Sequence, residues 1–109
     1  MHVIRVKTVS SLKDVLRHST ELVVVKLGAR WCKPCAKVAP YFHKLAASGA
    51  YKVIWVEVEL GEDDVEAELY TYCRANKIPY FTVFKRGEFV NGIQTSDISM
   101  VETLIKSAA

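Results

Sequence analysis

Two cysteines, Cys32 and Cys35, lie three positions apart between an apolar strand-like run and a helix-like run. The run at 22–27 is short and rich in β-branched residues, as in a buried strand. The apolar residues after it recur at helical spacing: Cys35, Val38, Ala39, Phe42, Leu45 and Ala46. The cysteines are therefore predicted to lie on a strand-to-helix turn, where C-x-x-C spacing is typical of a dithiol redox site.

The predicted helix N-terminus indicates which cysteine reacts first. Its unpaired N–H groups and partial positive charge stabilise a thiolate and lower a thiol pKa from about 8.5 to roughly 3.5–7.5. Cys32 is nearer this terminus, and we expect it to be the nucleophile. Cys35 lies about one helical turn further along, close enough to form a disulfide with Cys32. We expect Cys35 to be the resolving thiol.

The segment 22–41, LVVVKLGARWCKPCAKVAPY, resembles the thioredoxin family. The resemblance there is carried by a Trp before the first cysteine, a Pro between the cysteines and a Pro in the following helix: Trp31, Pro34 and Pro40. Further along, Ile78-Pro79 and the turn at 85–88 are similar to the family's Ile-cis-Pro segment and terminal hairpin. The resemblance spans essentially the whole chain. It implies an α/β thioredoxin fold, with a central mixed β-sheet flanked by helices.

The chain is predicted to alternate strands and helices and to end in a hairpin and a last helix, in the order βαβαβαββα. Strands are predicted at 3–6, 22–27, 53–59, 80–85 and 88–93, and helices at about 10–18, 35–47, 62–77 and 98–105. Ser10 or Ser11 should cap the first helix and Asp97 the last. Pro40 should kink the second helix, which should end before Gly49. No linker or repeat interrupts residues 1–109, which we expect to form a single domain.

The composition fits a small intracellular domain. Half of the 109 residues are hydrophobic, enough for one core without disulfide staples. Three cysteines form an odd set, which disfavours a secreted disulfide scaffold. No N-terminal signal segment is evident, and no apolar run approaches the roughly 20 residues of a membrane span. We expect a cytoplasmic monomer without membrane association.

The resemblance implies that the protein reduces disulfide bonds in other proteins. The Cys32 thiolate attacks the target disulfide, and Cys35 then attacks the mixed disulfide and releases the reduced target. No cofactor is implied, but each turnover needs an external reductant, for which the family uses a thioredoxin reductase. Trp31 would shield one side of the dithiol.

The resemblance also implies a docking surface for disulfide-containing target proteins. Three positions are expected to form it: Ile78, Pro79 and Gly92. The target would add to this surface in the manner of a short strand. Only about 5–6% of X-Pro bonds are cis, and the cis form at Pro79 is therefore expected from the resemblance alone.

Lys26 departs from the family, in which many members carry a buried Asp here that helps to deprotonate the second cysteine. A buried ammonium is costly unless it reaches solvent, loses its proton or finds a carboxylate. Glu57, on the neighbouring strand, is the predicted partner and would serve as a proton acceptor near Cys35. The alternative is that Lys26 extends to the surface and serves solubility.

Positive charge is concentrated around the dithiol. Lys33 replaces the Gly usual between the cysteines, and Arg30 and Lys37 lie nearby. Cations favour the thiolate and should raise the reduction potential; the alternative is that salt screens them and they affect partner choice only. Acidic residues cluster between 57 and 68, leaving an electropositive active face that should attract acidic targets. Nucleic acid is not indicated, because the basic residues follow no recognised module and the formal net charge is only +3.

Three other positions carry weaker signals. Gly28 and Tyr80 replace a Trp and a Thr that are common in the family, and they should reshape the groove. Cys73 is predicted to be a small buried hydrophobe, with regulatory oxidation or dimerisation as alternatives. A zinc site built from Cys32, Cys35 and one of the three histidines would lack a fourth ligand, and no metal is expected.

Two other functional classes stay open from the sequence. A glutathione-linked oxidoreductase of glutaredoxin type is disfavoured, because Cys-Lys-Pro-Cys differs from the Cys-Pro-Tyr-Cys pattern. A non-catalytic docking module is suggested only by Lys26, and the presence of both cysteines argues against it.

Overall fold

The computed structural model describes residues 3–61 and 64–109. Its elements follow the predicted βαβαβαββα order: β1 (Val3–Arg5), α1 (Val9–Arg17), β2 (Leu22–Gly28), α2 (Lys33–Ser48), β3 (Val53–Glu59), α3 (Asp64–Tyr72), β4 (Tyr80–Lys85), β5 (Glu88–Gln94) and α4 (Ile98–Ala108).

The five strands form one mixed sheet in the order β1-β3-β2-β4-β5. Strands β1 and β2 run parallel to β3, whereas β4 runs antiparallel to β2 and β5 antiparallel to β4. Strand β2 is buried along its whole length, as expected for a central strand covered by helices on both faces. The predicted central mixed sheet is confirmed.

Each face of the sheet packs against two helices. Helices α2 and α4 cover one face, where Phe42 and Leu104 contact a layer that includes Val24 and Trp55. Helices α1 and α3 cover the other face, with a separate set of buried residues that includes Leu12, Leu69, Val25 and Val58. Each large apolar side chain buried in these layers stabilises the fold by roughly 1.5–3 kcal/mol.

Helix α1 begins earlier than predicted. Its N-cap is Thr8 rather than Ser10 or Ser11, and the Thr8 hydroxyl accepts a 3.0 Å hydrogen bond from the backbone N–H of Ser11. Thr8, which the sequence analysis did not consider, offers the same capping chemistry as Ser10 and Ser11. The predicted cap of the first helix was therefore wrong.

Helix α2 also begins earlier, at Lys33 rather than at Cys35. Pro34 lies in its first turn, where a missing N–H breaks no hydrogen bond within the helix. The helix ends as predicted at Gly49, which adopts a left-handed conformation with φ of +72°. Pro40 lies inside α2, and its kink stays a prediction.

Helix α3 is shorter than predicted and ends at Tyr72. Cys73 still donates a 2.9 Å backbone hydrogen bond to Leu69, but Arg74 adopts a left-handed conformation with φ of +58°. Arg74 and Lys77 consequently lie beyond the helix, and the predicted helix to 77 was wrong at that end. Glu62 and Asp63, which were predicted to favour the start of this helix by their charge, lie outside the described residues.

The terminal hairpin and last helix follow the prediction closely. Arg86 and Gly87 have φ of +54° and +81°, as a tight two-residue hairpin turn requires. Strand β5 continues one residue further than predicted, to Gln94. Asp97 caps α4, and hydrogen bonds from the hydroxyl and backbone N–H of Ser99 lower the pKa of the Asp97 carboxyl.

Candidate dithiol site

Cys32 and Cys35 form a disulfide at the start of α2, with their Cα atoms 5.2 Å apart. Cys32 is the N-cap of the helix, and its Sγ accepts a 3.3 Å hydrogen bond from the backbone N–H of Cys35. Cys32 is 7% exposed and Cys35 is 3% exposed. The slightly more exposed of the two cysteines therefore lies at the positive end of the helix, where a thiolate is stabilised.

A small apolar cluster surrounds the disulfide. Ala29 and the two cysteines form its buried part, and Leu60 and Ile78 pack against it. Trp31, next to Cys32 in sequence, is 71% exposed and lines a separate surface cleft with Leu60. Its role as a shield for the dithiol stays a prediction.

The Ile78–Pro79 peptide bond is cis, as the resemblance implied. Ile78 is half-buried against the cysteine cluster, and Pro79 is buried. The Pro79 carbonyl accepts a 3.2 Å hydrogen bond from the backbone N–H of Thr95. This bond ties the segment to the chain that follows β5, and it places Ile78 beside the dithiol.

Gly92 lies beneath the ring of Tyr80. A Cβ atom at Gly92 would lie 2.6 Å from Tyr80 Cε2 and 2.8 Å from Tyr80 Oη. A residue without a side chain permits this close approach. The surface predicted for target docking at Gly92 is therefore shared with Tyr80, which the sequence marked only as a departure from the family.

Lys26 and Glu57 lie side by side in the register of β2 and β3. Lys26 Nζ is 3.5 Å from Glu57 Oε2, and the two residues are 5% and 6% exposed. The structure thus contains the predicted ion pair, and Lys26 does not extend to the surface as the alternative required. Pairing offsets part of the cost of burying each charge.

Glu57 also contacts two basic residues that the sequence analysis missed. Arg5 Nε is 3.2 Å from Glu57 Oε1, and His43 Nε2 is 2.8 Å from Glu57 Oε2. Arg5 is the register partner of Glu57 on β1, which could be known only from the strand order. A signal for His43 did exist, because His43 lies two helical turns after Cys35, on the same face of α2.

A cavity of about 310 Å³ joins this charged cluster to the dithiol. Its lining includes Cys35, Lys26, His43 and Glu57. Gly28 keeps the space between the groups open, because a Cβ there would lie 3.3 Å from Lys26 Nζ and 3.4 Å from Cys35 Sγ. The Lys26 ammonium and the Cys35 sulfur are therefore near neighbours.

The remaining predicted cations lie at the surface. Lys33 and Lys37 are exposed on the first two turns of α2, as is Pro34. Arg30 is also exposed, and its Nε lies 3.3 Å from Glu59 Oε1. The positive charge of Arg30 near the dithiol is thus partly offset, which the sequence analysis did not foresee.

The third cysteine lies away from the dithiol. Cys73 is fully buried between the sheet and helices α1 and α3, and burial raises the pKa of its thiol to about 12. Its environment matches the predicted small buried hydrophobe. Among the side chains that the structure describes, no three potential ligands come together as a metal site. In residues 3–61 and 64–109, no helix is both long and apolar enough to cross a bilayer.

Comparison with known proteins gives a consistent result. The sequence profile of the thioredoxin family matches residues 3–107. The chain is 32% identical to thioredoxin from Equus caballus over 104 residues, covering 94% of each chain. It is 33% identical to thioredoxin from Gallus gallus over 106 residues, covering 94% of this chain and 97% of the relative. The crystal structure of reduced Schistosoma mansoni thioredoxin pre-protein superposes with a TM-score of 0.85 at 32% identity, covering 98% of each chain.

The mixed sheet and the disulfide at the start of α2 define a dithiol thiol-disulfide oxidoreductase. The chain belongs to the thioredoxin family. Neither a glutaredoxin-type activity nor a non-catalytic docking role is favoured by these findings.

Proposed function

We propose that this protein reduces disulfide bonds in other proteins, with Cys32 as nucleophile and Cys35 as resolving thiol. The observation that carries the proposal is the position of Cys32 as the N-cap of α2, with its sulfur 3.3 Å from the Cys35 backbone nitrogen. A thiolate at Cys32 gains that N–H and the positive end of the helix. Residues 1–109 would act as a single domain.

The reaction transfers two electrons from the dithiol to the target. The Cys32 thiolate bonds to one target sulfur, and the other target sulfur leaves as a thiolate. Cys35 then bonds to Cys32, which releases the second target sulfur and leaves the Cys32–Cys35 disulfide. The family membership supports a thioredoxin reductase as the electron donor that restores the dithiol, with the cytoplasm as the compartment.

Targets would dock beside the dithiol on Ile78 and Pro79, and would reach Gly92 further along β5, where it pairs with Thr82. Ile78 contacts the cysteine cluster, and the Tyr80 ring over Gly92 adds an aromatic boundary to the surface. The exposed ammonium groups of Lys33 and Lys37 favour acidic targets. We propose that the protein acts as a monomer.

Insulin reduction tests this function and separates the alternatives. We expect the protein to accelerate insulin reduction by dithiothreitol strongly, and to accept electrons from NADPH through a thioredoxin reductase. Coupling to glutathione and glutathione reductase instead would support a glutaredoxin-type activity. A rate equal to that of dithiothreitol alone would support a non-catalytic docking role and contradict the proposal.

We predict that Lys26→Met lowers the reduction potential of the Cys32–Cys35 pair. A Cβ at Gly28 would lie 3.3 Å from Lys26 Nζ and 3.4 Å from Cys35 Sγ, so the ammonium lies beside the dithiol and favours its anionic, reduced form over the neutral disulfide. Two charges about 7 Å apart, the largest separation that these contacts allow, interact by roughly 2.4 kcal/mol at an effective dielectric constant near 20, and Glu57 offsets much of this. We expect a decrease of about 30 mV, equivalent to roughly 1.4 kcal/mol.

Equilibrium titration against glutathione measures this potential. Lys26→Asp should lower the potential further, because it places a negative charge at the same position. Lys85→Met is the matched control, because Lys85 is exposed at the end of the sheet remote from the dithiol, opposite Leu22. An unchanged potential in Lys26→Met would show that Lys26 is electrostatically silent.

A further inference from the structure

The buried carboxylate of Glu57 contacts three basic side chains of different kinds. Arg5 and Lys26 keep their protons near neutral pH in ordinary circumstances, whereas a histidine ordinarily changes its charge between pH 5 and 8. His43 is also partly exposed, with 44% of its side chain accessible, whereas Glu57 and Lys26 are buried. His43 is therefore the contact through which a proton can pass between the buried cluster and solvent.

His43 is connected to Cys35 as well as to Glu57. Both His43 and Cys35 line the cavity of about 310 Å³, and they lie on the same face of α2 with the small residue Ala39 between them. A cavity of this size, lined in part by charged side chains, has room for water molecules that bridge the two groups. Cys35 itself is 3% exposed, and the cavity that it shares with His43 is a route by which its proton can leave.

We propose that His43 takes up the proton that Cys35 releases in the resolving step. The proposal rests on the proposed function of the dithiol. The step starts from a Cys35 thiol and uses the ring nitrogen of His43 that does not face Glu57 as the proton acceptor. The Cys35 sulfur then bonds to Cys32 Sγ, and the bond from Cys32 to the target sulfur breaks with its electron pair on the target. The proton moves from Cys35 to His43, and then through solvent to the target thiolate.

Glu57 acts here as a counter-ion that holds His43. Arg5 occupies its Oε1, and both Lys26 and His43 approach its Oε2. A proton on either oxygen would displace one of these contacts. The carboxylate instead orients His43 and stabilises the imidazolium that forms when the proton arrives. In this scheme His43 accepts the proton through bridging water and does not touch the reacting sulfurs.

The charged side chains around His43 come from three strands, β1, β2 and β3, and from the segment that follows β2. They include three cations and two carboxylates around the same cavity: Arg5, Lys26, Arg30, Glu57 and Glu59. Glu57 is the one in contact with His43. The pH response of the variants described below is therefore measured with all five charges kept in place.

Reaction of the reduced protein with 5,5′-dithiobis(2-nitrobenzoate) isolates the resolving step. Attack by Cys32 releases a first coloured thiolate, and attack by Cys35 on the mixed disulfide releases a second. We expect His43→Gln to leave the first release unchanged and to slow the second about tenfold near neutral pH, less than the roughly 100-fold typical of a base in direct contact. The difference should vanish about one pH unit above the ordinary thiol pKa of about 8.5, where hydroxide removes the proton unaided.

Two further variants sharpen the comparison. His18→Gln is the matched control, because His18 bonds the Asp14 carbonyl on α1 and lies outside the cavity; it should change neither release. His43→Ala should be rescued by added imidazole, which can enter at this partly exposed position.

Two results would overturn the proposal. If His43→Gln slows the second release by the same factor at every pH, His43 supports the structure only. If the second release is unchanged, the proton leaves by another route. A wild-type protein that fails to give the second release would instead contradict the proposed function of the dithiol, and the two failures are thus distinguishable.

Discussion

Cys32→Ser will lose insulin reduction by at least about 10³-fold, because the reaction then has no accessible nucleophile. A serine hydroxyl at the helix N-cap stays protonated at neutral pH, and the remaining Cys35 is 3% exposed. Cys35→Ser should also lose turnover, but for another reason. In the Cys35→Ser variant, Cys32 can still attack the target. The mixed disulfide then accumulates because no second thiol resolves it.

The two variants are distinguished by intact-protein mass spectrometry after incubation with a disulfide substrate. Only Cys35→Ser should gain the mass of a bound target, and a reducing agent should remove it. Cys73→Ser serves as the control for loss of a thiol, because Cys73 is buried between the sheet and helices α1 and α3, away from the dithiol. Capture of the target by Cys32→Ser rather than by Cys35→Ser would reverse the assigned roles.

Glu57→Ala will destabilise the fold by about 3–5 kcal/mol, the usual cost of removing one partner of a buried ion pair. Within the part of the chain that the structure describes, Glu57 is the only carboxylate within salt-bridge distance of Lys26. Arg5 and His43 are partly exposed and can turn to water, but Lys26 cannot. The loss should appear in urea unfolding of the reduced protein at neutral pH.

Glu59→Ala is the matched control on the same strand. The Arg30–Glu59 pair is at the surface, where such a pair is worth about 0–1 kcal/mol. Adding Lys26→Met to Glu57→Ala should recover part of the stability, because it removes the unpaired charge. A Glu57→Ala protein as stable as the Glu59→Ala control would show that Lys26 needs no partner.

The sequence predicted the parts of the site that depend on local pattern or on the family resemblance. The strand-to-helix position of the cysteines follows from the periodicity on either side of them, and the cis bond at Pro79 and the Lys26–Glu57 pair follow from the resemblance. The contacts of Arg5 and His43 depend on the order of three strands and on the rotation of α2. The sequence spacing shows that His43 shares a helix face with Cys35, but its contact with Glu57 and the contact of Arg5 require the three-dimensional arrangement.

The places where the predicted helix bounds and contacts differ from the structure have a different physical cause. Arg74 ends α3 by adopting a left-handed conformation that is uncommon for a residue with a side chain. The contact of Tyr80 with Gly92 joins neighbouring strands and depends on the register of β4 and β5. Each error thus lies where tertiary contacts decide between locally similar choices.

The row formed by Arg5, Glu57 and Lys26 across β1, β3 and β2 also bears on how the chain assembles. A shift of β3 by two residues along β2 in one direction would keep its buried face but place Lys26 opposite Trp55 instead of Glu57. A shift by one residue would turn Glu57 into the opposite core. The charge row therefore disfavours these two misalignments, and the side chains proposed to tune the dithiol also help to set the alignment of the strands. Variants that alter one should be checked for the other.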